Sequence, residues 1–213
     1  MGLKSFLCYY KKMLPSDTEN NYDSSYGLYC SLDDSEEALL SSRTFVLPLE
    51  LMSNWRQCSN ISNFVANDTS LLPKSHPSLV NIISTVANEL LENAVKFCDD
   101  KNKIVTLIVN SYKDFVTIET INTASLNQAK IICALIDELS SNEFENIYFD
   151  QLAKSMQSNA TGSRLGFIGL INDLNLNIGL QTRRRASTHS SYEVSAKVMI
   201  DNNYIQSLAL SYA

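Results

Sequence analysis

A helix that is apolar along one side and polar along one narrow edge has to lie flat on something. The stretch 78–98 reads that way: Ile83, Val86, Ala87, Leu90, Ala94 and Phe97 recur at helical spacing and form a core-facing stripe. Glu89, Asn93 and Lys96 share the neighbouring edge, within roughly 60° of one another at ~100° per residue. A carboxylate, an amide and an ammonium on one line suit a base, a metal-site ligand and a phosphate contact. Taken by itself, the same edge also fits a solvated helix face carrying ordinary surface charges.

The partner for that stripe is a sheet. Ile104 to Ser111 and Phe115 to Ile121 have strand character and flank Tyr112-Lys113-Asp114, which reads as a hairpin turn. Along the second of these, Val116, Ile118 and Thr120 alternate inward. Period two then carries the inward face to Asn122, which fits a turn residue equally well. Upstream, Tyr26 to Ser31 suits a short first strand, Arg43 to Leu47 a second, and Leu49 to Val65 a first helix. Downstream, Leu126 to Leu139 and Phe144 to Met156 are helical segments of one insertion. Asn177 to Thr182 and Tyr192 to Ile200 form a closing hairpin joined through Arg183-Arg184-Arg185. The expected fold is α+β: a two-layer α/β sandwich whose mixed, mostly antiparallel sheet is covered on one face by helices. Residues 1–23 form a polar tail, 24–202 one domain with a helical insertion at 125–161, and 203–213 a second tail.

Composition narrows the function. With 45% hydrophobic and 19% charged residues in 213, the chain suits one sizeable folded domain. No apolar run approaches the ~18 residues that span a bilayer, and the first residues lack a signal-peptide core, so a cytoplasmic location is expected. The net charge of −6 is concentrated: Asp17, Glu19, Asp23, Asp33, Asp34, Glu36 and Glu37 lie within 13–42, where no Lys or Arg occurs. Setting those seven aside leaves +1, which argues against a general nucleic-acid binder. The five scattered cysteines have no metal-ligand spacing and read as small packing residues.

A second signal lies at Gly162-Ser163-Arg164-Leu165-Gly166-Phe167, where a loop enters a helix. Free amides at a helix start attract phosphate, and glycines let the backbone approach closely. Following a Glu-x-x-x-Asn helix and a hairpin, this order of elements resembles the GHKL (histidine kinase-like) ATPase superfamily, whose fold is the Bergerat-type sandwich. The asparagine box is similar to Glu89-Leu-Leu-Glu-Asn93-Ala-Val-Lys96, and the second glycine box to Gly162 through Gly166. The compact layout resembles the anti-sigma-factor serine/threonine kinases of partner-switching systems. It is closer still to a cyanobacterial-type family of GHKL-like proteins, on Ala87 to Ala94, Tyr148-Phe149-Asp150-Gln151-Leu152 and Leu165 to Asp173. The resemblance covers about residues 24 to 202.

The resemblance implies that Glu89 is the general base, that Asn93 holds Mg²⁺ bridging the phosphates of ATP or ADP, and that Lys96 touches a phosphate. Gly162, Ser163, Arg164, Leu165 and Gly166 would complete the nucleotide site. Two departures stand out. Asn122-Thr123-Ala124-Ser125 replaces the family's Asp-x-Gly-x-Gly, so Asn122 would meet the adenine in place of a carboxylate. Arg164 takes a position the family gives to glycine, where it either crowds the phosphates or binds them. Two functions follow. One is serine/threonine phosphotransfer to a small protein partner, with homodimerisation in keeping. The other is a non-catalytic regulator that binds a partner or an altered adenine-containing ligand, such as ADP, a flavin or a nicotinamide dinucleotide. His76 and His189 lie in no phosphoacceptor helix pattern, which argues against histidine phosphotransfer.

Overall fold

Alternation decides the architecture. In Ile104–Ser111 and Phe115–Ser125 every second residue is buried, so each strand presents one dry face and one wetter face. The computed structural model describes residues 22–29, 38–52, 54–68, 77–98, 104–140, 170, 176–185 and 191–201. Within them, the strands are β1 (Ser24–Gly27), β2 (Ser41–Pro48), β3 (Ile104–Ser111), β4 (Phe115–Ser125), β5 (Asn177–Arg184) and β6 (Ser191–Asp201). The helices are α1 (Trp55–Asn67), α2 (Pro77–Lys96) and α3 (Leu126–Ser140), with a 3₁₀ turn at Leu49–Met52.

The strands form one six-stranded sheet in the order β1-β5-β6-β4-β3-β2. Each described pair is antiparallel, so the expected mixed sheet is antiparallel throughout its described part. The helices lie on one face. α2 packs over β3 and β4, α3 over β4, β5, β6 and the edge strand β1, and α1 packs on α2. The core is where these layers meet: Val105, Leu107, Val109, Val116 and Ile118 of the sheet face Ile83, Val86, Ala87 and Leu90 of α2. Leu91 is fully buried as well, off the apolar stripe. It lies nearly one helical repeat from Ser84, whose hydroxyl donates to Asn63 of α1 at 2.6 Å, so α2 is covered on two sides.

Several boundaries differ from the sequence expectation; β4 runs four residues past Ile121 to Ser125, and β2 spans Ser41–Pro48. The first helix does not run from Leu49: a 3₁₀ turn comes first, and α1 begins after Asn54, whose side chain caps it by accepting from Arg56 N–H at 2.9 Å. The first strand is Ser24–Gly27, not Tyr26 to Ser31, because Gly27 turns the chain at φ 60°. The closing hairpin keeps Arg183 and Arg184 in β5, and Arg185 N–H donates to Ser191 O at 3.1 Å, so the connection is 186–190.

Past Gly27 the chain folds onto the sheet face turned away from the helices. Tyr29 donates to Glu119 Oε1 at 2.6 Å, Lys197 lies 3.1 Å from Glu119 Oε2, and the Lys197 ammonium sits 4.8 Å from the Tyr29 ring centre. Burial first, then the charge of Glu119, push the Tyr29 phenol well above its ordinary pKa. Gly179 accommodates the ring: a Cβ there would come within 2.9 Å of both Leu28 Cβ and Tyr29 Cδ2.

Candidate functional site

Between α2, α3 and the sheet lies a cleft of about 510 Å³, including space open to solvent. Its walls are apolar, from Ala94 and Phe97 of α2, Ile132 and Leu135 of α3, and Leu180 and Val194 of the sheet. Ile131 forms an exposed apolar lip. Three uncharged polar side chains interrupt this lining: Asn93, Thr120 and Asn122. An apolar cleft with a few convergent polar groups is the usual form of a small-molecule site.

The structure thus brings Asn93 and Asn122, distant in sequence, to one cavity. Asn93 Nδ2 donates to Glu89 O at 2.8 Å, one turn back, which fixes the amide. Its Oδ1 accepts no hydrogen bond among the described residues. Asn122 is a buried strand residue and not a turn residue. Its Nδ2 donates to Phe97 O at 3.1 Å, at the end of α2, and its Oδ1 is likewise without a bond among the described residues. In both cases the donor is committed and an acceptor oxygen remains.

Glu89 and Lys96 flank the cleft and do not line it. Glu89 is half-buried, and its carboxylate accepts no hydrogen bond among the described residues. Burial first, and then the negative charge of Glu92, raise its pKa above the ordinary glutamate range. Lys96 is exposed, with its ammonium 5.6 Å from the ring centre of the cleft residue Phe97. Gly162, Ser163, Arg164, Leu165 and Gly166 lie outside the described residues, as do Tyr148 to Leu152, His76 and His189. Leu170 is helical and buried, and its carbonyl accepts from Leu176 N–H at 3.3 Å.

One residue of this region escaped the sequence reading although its signal was present. Ser125-Leu126-Asn127-Gln128 has the spacing of a capping box. Gln128 N–H donates to Ser125 Oγ at 3.3 Å, and Gln128 Oε1 accepts from Ser125 N–H at 2.8 Å. Gln128 Nε2 then reaches Cys98 O at 3.4 Å. Asn122 and Gln128 therefore tie two consecutive carbonyls, Phe97 and Cys98, to the start of α3. The far end of the site helix is fixed by two side-chain amides, one from β4 and one from the first turn of α3.

Among the described residues no group of three His, Cys, Asp or Glu could hold a metal. Magnesium keeps several waters and is otherwise held by one or two carboxylates and a substrate's phosphates, so Asn93 Oδ1 would give it one neutral oxygen beside such phosphates. No protein-family model matches the chain, and a search of curated proteins finds none that matches it.

Proposed function

We propose that the α2–α3 cleft is the ligand site of a GHKL-type nucleotide-binding regulatory protein acting as a serine/threonine kinase of a partner-switching system. One observation carries this reading. Asn93 of α2 and the strand residue Asn122 converge on one cleft that Glu89 flanks, each asparagine having an oxygen left over. On this reading the adenine lies against Asn122, ATP or ADP extends toward Asn93, and Mg²⁺ on Asn93 Oδ1 would neutralise phosphate charge. Lys96, beside Phe97, supplies a further positive charge. Glu89 is the base: it takes the proton of a serine or threonine hydroxyl on a small partner protein as the oxygen attacks phosphorus and ADP leaves. A carboxylate with raised proton affinity and no competing hydrogen bond suits that work.

A second reading has its own support. The family's aspartate would lose the hydrogen bond that Asn122 makes here, because a carboxylate has no proton to donate to Phe97 O. The adenine side is therefore rebuilt around a helix cap, which favours a non-catalytic regulator holding ADP, a flavin or a nicotinamide dinucleotide. Mass spectrometry and absorbance of the molecule that co-purifies separate the two: ATP supports the kinase, a coloured cofactor overturns it, and with ADP the phosphotransfer rate of the wild type decides. Glu89→Ala is expected to abolish phosphotransfer while ligand binding, measured calorimetrically, persists. Because the Glu89 pKa is raised, the wild-type rate should fall on the acid side at a pH above the ordinary glutamate range. Unchanged phosphotransfer in the variant would remove Glu89 from the mechanism.

A further inference from the structure

Lys130, Ile131, Ile132 and Cys133 make one turn of α3 with two duties. Ile131 and Ile132 line the cleft, together with Leu135 of the next turn. Lys130 and Cys133, three apart and so on one side of the helix, meet Tyr22 instead. The Cys133 thiol donates to Tyr22 O at 3.2 Å, and the Lys130 ammonium lies 5.3 Å from the centre of the Tyr22 ring. From the sheet, Thr182 Oγ1 of β5 donates to the same carbonyl, and the Tyr192 ring of β6 stands edge-on to Tyr22 at 6.3 Å. Tyr22 is thus wedged between α3 and the sheet, behind the wall of the cleft. Its neighbours tie the wedge down: Asp23 Oδ1 accepts from Arg184 N–H at 2.6 Å, Ser25 Oγ accepts from Gln181 Nε2 at 2.8 Å, and Ser24 pairs with Thr182. β1 itself has four residues and borders β5 alone in the described sheet, and such short edge strands open locally before a core does.

We propose that Tyr22 is a latch through which the N-terminal segment sets the cleft. Seated, it holds α3 in the position that forms the wall; release of residues 22–25 from β5 lets Ile131, Ile132 and Leu135 withdraw. Lys130 and Ile131 are consecutive, as are Ile132 and Cys133, so this turn cannot move at Tyr22 and stay still at the cleft. Tyr22 is a positioning residue, since it acts on the lining from behind and is not part of it. The latch works alike whichever ligand the cleft takes, so it stands apart from the nucleotide reading.

Amide exchange of the full chain, read by mass spectrometry, tests the latch. Tyr22→Ala should speed exchange across α3 by about 10-fold or more, since an aromatic pair and a cation–π contact are lost together. β4 and α1 should keep their wild-type protection. Lys130→Met removes the exposed ammonium alone and should speed α3 to a smaller degree. Tyr22→Phe keeps both the ring and the carbonyl, and should exchange as the wild type does. Hydroxyl-radical footprinting then reads the cleft itself: Phe97, Ile132 and Leu135 should oxidise faster in Tyr22→Ala, with the core residue Leu107 unchanged. The latch is overturned if α3 keeps its wild-type rate in either Tyr22→Ala or Lys130→Met, or if β4 loosens as much as α3. It is overturned equally if Tyr22→Phe behaves as Tyr22→Ala does, or if the cleft residues keep their reactivity.

Discussion

Asn122 serves two ends at once, and its chemistry separates them. Nδ2 holds the Phe97 carbonyl at the end of α2, while Oδ1 remains for a ligand. Asn122→Ala leaves Phe97 O without that donor and should cost about 1–3 kcal/mol in urea unfolding. Asn122→Asp keeps the shape and volume but sets a carboxylate against a carbonyl oxygen, so it should destabilise more than alanine does. Wild-type stability in both variants would mean that this hydrogen bond contributes nothing. Period-two alternation had put Asn122 on the inward face, yet nothing local distinguished a strand residue from a turn residue there. What decided it was pairing with Val194, seventy-odd positions away, which no local pattern contains. Glu89 was readable as a member of the polar edge, whereas its raised pKa depends on burial by tertiary neighbours.

Elements followed the sequence where periodicity ran long and failed where a single side chain set a boundary. α2 and α3 keep their expected spans because apolar spacing persists over several turns. The start of α1 moved because Asn54 caps it, and β1 ended early because Gly27 takes a left-handed turn. That turn has a testable companion across the β1–β5 pair. Gly179→Ala places a methyl group 2.9 Å from Leu28 and from the Tyr29 ring, closer than real contacts allow. It should lower the melting temperature by roughly 2–12 °C, as a cost of 1–3 kcal/mol does in a chain of this size. The loss should shrink when Tyr29→Ala is made as well, because the ring is then absent. A full loss in the double variant would show that the ring is not what the methyl meets.

At the scale of the whole molecule, one sheet and one helical layer share a core that is thickest at β4 and β6, the central strands. Amide exchange should be slowest there and fastest in β1, a four-residue edge strand. Fast exchange in β4 would contradict the layered core. The two edges of the described sheet are unequal: β2 has eight residues, while β1 has four and continues into the segment that lays Tyr29 over Glu119 and Lys197. Through that contact the descent of the chain is constrained in a way an alignment would register. The ring at position 29 and the missing side chain at position 179 occupy one volume between them. A descendant that acquires a side chain at 179 must have reshaped the turn at Gly27 so that Leu28 and residue 29 both move away. The positions are therefore inherited as a pair, although 150 residues separate them in the chain.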